Sequence, residues 1–222
     1  MKPQNIFIIR HGQSQGNVDK NIYKTQPDYT LKLTELGIQQ AKDAGVKLAK
    51  IVNGGRTAFY ISPFWRARQT AKYIKQAFHE DQLMFSYEDV RLREQEWGNH
   101  IAKEYNEDHE LARDSHGHFY WQFPNGESCA NTFDRVSDFF NTLYRDFNKF
   151  NYPPNTIIVA HGMTMRVFLM RWLHLSVEEF ESLANPANGE YYHLALQTDG
   201  KYKLVTELKR YESPMCQYKY TE

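Results

Sequence analysis

The residues of this chain best suited to chemistry are an adjacent pair, Arg10-His11, together with a second arginine, Arg66, and a second histidine, His161. Each histidine ends a short apolar run, IFII (6–9) or TIIVA (156–160), and each is followed by glycine. Arginine forks match phosphate oxygens two at a time. A histidine set among arginines is held uncharged more readily, and a neutral imidazole is a competent nucleophile. A helix starting after His161 would add the backbone N–H groups of Gly162 and its successors, which favour an anion. The residue types therefore suit chemistry on a phosphate group. An Arg-His-Gly triplet is common, however, and a histidine at a strand end is more often a hydrogen-bonded structural residue. Only the whole set, taken in order, carries weight.

The elements that must position these groups follow from periodicity. IFII (6–9) reads as a buried strand, AFYIS (58–62) as a second, LMFSYE (83–88) as a third and TIIVAHG (156–162) as a fourth. Residues 34–52 read as a helix with Ala41, Ala44, Leu48 and Ile51 on its inner face, stopped by Asn53-Gly54-Gly55. Residues 64–78 read as a helix with Ala67, Ala71, Ile74 and Phe78 inward, and 130–149 as one with Phe133, Val136, Phe140, Leu143 and Phe147 inward. A helix over about 163–174 and two short strands near 190–196 and 202–206 complete the pattern. Strands alternating with helices predict an α/β fold, a three-layer sandwich with a mostly parallel central sheet and helices on both faces. In such sheets ligands gather outside the carboxyl ends of the strands. His11, His161 and the Ser62-Pro63 turn that launches the Arg66 helix all lie at such ends.

Residues 99–128 break the rhythm. They are charged, then aromatic, and end in Pro-Asn-Gly. They read as a cap insertion, folding over one edge of the sheet, within a single domain spanning 1–222. Three histidines fall in it, His109, His116 and His118, but their spacing suits a solvated loop better than a zinc site. The tyrosine-rich tail after residue 206 has no role legible in the sequence.

Composition excludes several classes. The 222 residues are long enough for one sizeable core. With 27 basic and 27 acidic side chains the formal net charge is zero, which predicts neither a nucleic-acid partner nor an anionic membrane surface. Two distant cysteines, Cys129 and Cys216, make neither a disulfide framework nor a metal-ligand pair and suit a reducing compartment. The apolar run at the N-terminus is too short for a signal peptide, and VFLMRWL is interrupted by Arg171. The expectation is a soluble cytoplasmic protein. Oligomeric state is not legible.

Six segments, in order, resemble the histidine phosphatase superfamily, in its phosphoglycerate mutase-like branch: RHGQSQGN (10–17), LTELGIQQA (33–41), SPFWRARQTA (62–71), LREQEWGN (92–99), FPNGES (123–128) and VAHGMTMR (159–166). One departure is Gln13, where the family usually has glutamate. The resemblance implies that His11 attacks phosphorus to form phosphohistidine, and that Arg10, Arg66 and His161 hold the equatorial oxygens. It implies that Asn17 and the backbone at Gly162 help bind the phosphate. It implies that Glu94 protonates the leaving oxygen and then deprotonates water, with Glu94 preferred to Glu96 on motif position. Glu127 and Ser128 are equally open to a helix-capping role and a catalytic one. No metal and no cofactor are implied, since arginines supply the positive charge.

Three functions follow: a phosphomonoester phosphatase acting on a small-molecule phosphate ester, a phosphoglycerate mutase, and an inactive phosphate-binding or scaffold protein. The last is disfavoured because Arg10, His11, Arg66, Glu94 and His161 are all present. The second is disfavoured because the family's mutases carry a consecutive arginine pair, and none occurs in this chain. Residues 99–123 hold Lys103 and Arg113 against Glu104, Glu107, Asp108, Glu110 and Asp114. Such a cap repels polyanions, and its aromatic end (Phe119, Tyr120, Trp121, Phe123) suggests an organic leaving group.

Overall fold

The computed structural model describes residues 2–98 and 107–211, with side chains of 107–110 outside the description. Its elements are β1 (Asn5–Arg10), α1 (Gln15–Val18), α2 (Glu35–Val52), β2 (Thr57–Ile61), α3 (Trp65–Lys75), β3 (Leu83–Glu88), α4 (Glu107–His116), α5 (Cys129–Phe147), β4 (Asn155–Ala160), α6 (Gly162–Leu173), α7 (Val177–Glu181), β5 (Tyr191–Leu196) and β6 (Tyr202–Leu204). Short 3-10 turns lie at 20–24, 28–30, 80–82 and 90–92.

Six strands form one sheet in the order β3-β2-β4-β1-β5-β6. The pairs β3·β2, β2·β4 and β4·β1 are parallel, while β1·β5 and β5·β6 are antiparallel. The expected three-layer α/β architecture is therefore present. Alternate residues of the central strands point to opposite faces. Ile6, Ile8, Tyr60 and Ile158 pack against α5 and α6, with Val136, Phe140 and Phe168. Phe7, Ile9, Phe59, Ile157 and Val159 pack against α2 and α3, with Leu48, Ala71 and Ile74. Such strands, covered on both sides, read as continuous apolar runs.

Boundaries differ in instructive ways. β4 ends at Ala160, so His161 is the N-cap residue of α6 and Gly162 its first residue. On α2 the inner stripe continues to Val52, 7% exposed, while Ile51 is 39% exposed. The step from Leu48 is one of four residues, because a 3.6-residue turn drifts off a strict repeat. Asn53 then ends the helix in a left-handed conformation.

The insertion is described from residue 107 onward. It contains α4 and packs on helices, with the Phe119 ring against Phe133 and Phe180. Phe119 and Phe123 are buried at 5% and 2% exposed. Two of the four rings at the aromatic end are thus core, where burial contributes about 1.5–3 kcal/mol each, while Tyr120 is 58% exposed. Lys103 and Glu104, like Cys216 and the end of the tail, lie outside the described residues, as do the side chains of Glu107, Asp108, His109 and Glu110.

Candidate active site

β1 and β4 run side by side, so their ends place His11 and His161 together. The ring centroids are 5.0 Å apart. His11 Nδ1 lies 2.7 Å from the Gly12 carbonyl oxygen. A carbonyl can only accept, so Nδ1 carries the proton. Arg66 Nε donates to His11 Nε2 at 3.2 Å, so Nε2 is the nitrogen with the free electron pair. His11 is 3% exposed. Burial, then Arg66 and Arg10, push its pKa well below the ordinary imidazole value.

Two glycines set the approach of the motif segments. A Cβ on Gly12 would lie 2.2 Å from the Gly37 carbonyl oxygen, and one on Gly37 would lie 2.0 Å from that of Gln13. The Gly12 N–H donates to Thr70 Oγ1 at 3.1 Å. The segments 10–17, 33–41 and 62–71 are motifs because they touch.

Arg66 is 3% exposed and already engaged. Its Nη1 donates to Asp28 Oδ1 and to the Asp28 carbonyl, both at 2.8 Å, and its Nη2 donates to Asp28 Oδ2 at 3.2 Å. A carboxylate thus takes the fork that suits a phosphate. Arg10 Nη1 donates to the Pro186 carbonyl at 2.6 Å, while its buried Nε has no hydrogen-bond partner. Asn17 Oδ1 accepts from the Ser14 N–H and hydroxyl and from Asn188 Nδ2, which also donates to the His11 carbonyl. The part of Asn17 suited to an anion is therefore its NH2 group. His161 is fully buried, with Nε2 2.7 Å from Ser62 Oγ and Nδ1 without a partner. Burial, then Arg66 and His11, push its pKa well below ordinary.

Glu94 sits at the start of α6. Its oxygens accept from the N–H groups of Met163 and Thr164, each at 3.3 Å. Two of the N–H groups expected to attract an anion are therefore taken by this carboxylate. Glu94 lines a cavity of about 390 Å³ with His11, Arg10, Arg66, Asn17 and Gly162; His161 is not among its lining residues and meets it through its ring contact with His11. Glu96 is exposed and lines a separate groove. A Cβ on Gly162 would crowd Asn185 Oδ1 at 3.0 Å.

The Glu94 loop hangs from one arginine. Arg135 donates to the carbonyls of Arg91, Arg93 and Glu94 at 2.6, 2.9 and 3.1 Å. Glu127 holds Arg135 through Nε and Nη2, both at 3.0 Å, and also accepts from Arg93 at 2.5 Å. Burial raises the Glu127 pKa, but Arg135 and the other donors outweigh it and leave it below ordinary. Ser128 caps α5 by accepting from the Asn131 N–H at 3.1 Å. Glu127 is thus a positioning residue and Ser128 a cap.

Sequence reasoning missed Lys20, Tyr23, Asp28, Trp97 and Asn185, all of which line the cavity. Burial, then Arg10, lower the Lys20 pKa, and burial with Asp28 pushes Tyr23 up to about 12. The Asn-Gly turn chemistry of residues 185–189 was the one available signal. Of the insertion's histidines, His118 pairs with Asp114 at 2.6 Å and His116 packs on Trp121; the side chain of His109 lies outside the described residues. Among the described residues no group of three or more His, Cys, Asp or Glu is placed to hold a metal.

Residues 6–207 match the model of the histidine phosphatase superfamily (branch 1). The chain belongs to this family. It is 40% identical over 215 residues to phosphoglycerate mutase-like protein AT74 of Arabidopsis thaliana, covering 91% of this chain and 68% of that one. It is 28% identical to the broad-range acid phosphatase DET1 of Saccharomyces cerevisiae, covering 95% and 91%. Among solved structures, mycobacterial glucosyl-3-phosphoglycerate phosphatase superposes with a TM-score of 0.69 at 22% identity, covering 93% of this chain and 99% of that one. That likeness concerns the fold. No helix among the described residues is long and apolar enough to cross a membrane.

Proposed function

We propose that this member of the histidine phosphatase superfamily is a phosphomonoester hydrolase that works through a phosphohistidine at His11 and needs no metal. The observation that carries the reading is the state of His11: Nδ1 is tied to a carbonyl, and Nε2 is unprotonated at the cavity wall. The Nε2 electron pair attacks phosphorus, the bond to the leaving oxygen breaks, and Glu94 gives that oxygen a proton. Water then attacks the phosphohistidine, Glu94 takes its proton, and inorganic phosphate leaves. Arg10 and Arg66 balance the equatorial oxygens, with the Asn17 NH2 beside them. His161 Nδ1, buried and unpartnered, is a donor or acceptor for the same group once it enters.

Hydrolysis is favoured over mutase chemistry by the cation count. Among the described residues the cavity holds Arg10, Arg66 and Lys20, with Arg66 opposed by Asp28, which suits one phosphoryl group. A mutase intermediate carries a further anion, and an unpaired buried anion costs several kcal/mol. The small-molecule partner is a phosphate ester.

The test is a rapid quench with a radiolabelled phosphate ester. Label should survive alkali and be lost in acid, and be absent from His11→Ala, whose turnover should fall at least ~1,000-fold, about 4 kcal/mol. Turnover should withstand EDTA. Acid-stable label, or activity that EDTA removes and magnesium restores, sinks the reading.

A further inference from the structure

Beside the catalytic cavity lies a second and larger one, a groove of about 860 Å³ to which no role attaches above. The two share Asp28 as a wall. The groove is lined by Tyr29, Phe64 and Trp65 and by Arg93 and Glu96. Tyr29 is 58% exposed and Trp65 44% exposed, so two large rings stand open to solvent in one concavity. Isolated exposed rings need no explanation, but a set of them in a groove that adjoins a reactive centre marks a binding surface.

Its place relative to the chemistry identifies the occupant. In phosphoryl transfer the attacking and leaving atoms are roughly in line through phosphorus. The leaving oxygen must therefore be at Glu94, across from His11. Arg93 and Glu96 flank Glu94 in sequence and line the groove. Phe64 continues the wall from the catalytic side, where its ring packs on His161 at 5.1 Å and under the Arg66 guanidinium at 4.9 Å. The groove begins where the organic part of a phosphate ester has to go.

Charge narrows the chemistry. The groove's arginines are already matched: Arg68 pairs with Glu88, and Arg93 pairs with Glu127. At the junction stands the Asp28 carboxylate, held on Arg66. A leaving group with its own anion close to phosphorus would meet Asp28 and Glu96, with Lys32 as the groove's one cation outside those ion pairs among the described residues. A flat, uncharged one would stack on the rings without that opposition.

We infer that the groove is the leaving-group subsite of this enzyme, and that its preferred substrates are phosphomonoesters of flat, apolar, uncharged alcohols or phenols rather than compact anionic sugar acids. The inference rests on the hydrolytic reading above. Hydrolysis kinetics and binding test it in parallel. The wild type should favour naphthyl phosphate over glycerol phosphate and 3-phosphoglycerate in kcat/KM. Trp65→Ala and Tyr29→Ala should each lower kcat/KM for naphthyl phosphate by roughly 3- to 10-fold and leave glycerol phosphate within about twofold. Equal losses on both esters, or no loss on either, overturn the subsite. Calorimetry with naphthylmethylphosphonate against methylphosphonate gives a second readout that needs no turnover. The aromatic phosphonate should bind more tightly, and Trp65→Ala should erase the difference. If no ester is hydrolysed, the hydrolytic reading fails by itself, while equal binding of the two phosphonates overturns the groove.

Discussion

The nucleophile and the proton donor are held in different ways. His11 follows β1 directly, and its N–H donates to the Ala160 carbonyl of β4 at 3.0 Å, so the sheet ladder continues to the reacting residue. Glu94 follows no strand. Its loop leaves a 3-10 turn and is carried by side chains: Arg135 on three carbonyls, and the Thr164 hydroxyl on the Arg93 carbonyl at 2.7 Å. One half of the site is an extension of the core, the other a suspension. The difference teaches that side-chain substitutions at Arg135 and its partners should reach the acid and spare the nucleophile. A backbone ladder has no single removable part, whereas a charge-assisted cluster has one in Arg135.

The largest effect should come from removing the suspended carboxyl itself. Glu94→Gln should lower kcat by about 100- to 10,000-fold on esters with poor leaving groups. With a nitrophenyl ester the first step should persist and the second stall, so labelled His11 accumulates in quench experiments. Unchanged turnover would move the acid elsewhere and end the comparison.

A smaller effect should follow from cutting the suspension. Lysine cannot fork to three carbonyls, so Arg135→Lys should lower kcat about tenfold while inhibition by inorganic phosphate shifts less than about twofold. A parallel loss of phosphate affinity would mean that the two halves are one unit.

The smallest effect is on stability, and it separates the halves by pH. His11 and His161 have pKa values well below their ordinary 6.5 when folded. As pH falls below 6.5 the unfolded chain takes up protons that the native one refuses, so stability is full above that value and declines beneath it. Each pH unit costs up to about 1.4 kcal/mol per histidine, a Tm loss of about 3–6 °C for a chain of this size. Glu127 is lowered from 4.5, so its contribution is present above that value and fades as pH falls through its folded pKa. Calorimetric scans from pH 8 to 4 should show Tm declining below about 6.5, and Glu127→Gln should leave that decline unchanged. A flat profile between pH 8 and 5 would contradict the buried neutral histidines.

The ladder-built half was the more legible in sequence. A strand of four apolar residues ending in Arg10-His11, and its repeat ending in His161, carry their own geometry, because parallel neighbours end together. The suspension is legible only as types: Glu94 is marked by motif position, while Arg135 sits in a helix whose apolar stripe is the stronger signal. Asp28, Lys20 and Tyr23 come from 3-10 turns too short for residue spacing to predict a direction. Phe119 and Phe123 misled for a related reason: composition cannot tell an aromatic that lines a pocket from one that fills a core. The neighbouring rings that do stand open, Tyr29 and Trp65, come from two segments far apart in the chain.

The mutual contact of Gly12 and Gly37, with the Gly12 N–H bonded to Thr70, also bears on when the site comes into being as the chain folds. Those residues belong to the tip of β1, the first turn of α2 and the middle of α3, which meet only after both helices have docked on the same sheet face. The loop bearing His11 therefore takes its shape late, once contacts spanning nearly sixty residues have closed. A collapsed intermediate with its strands paired but α2 undocked would contain every catalytic residue and be unable to accept a phosphoryl group. Recovery of activity during refolding should trail recovery of the sheet, and a lengthened side chain at Gly37, outside the cavity, would arrest the protein at that stage.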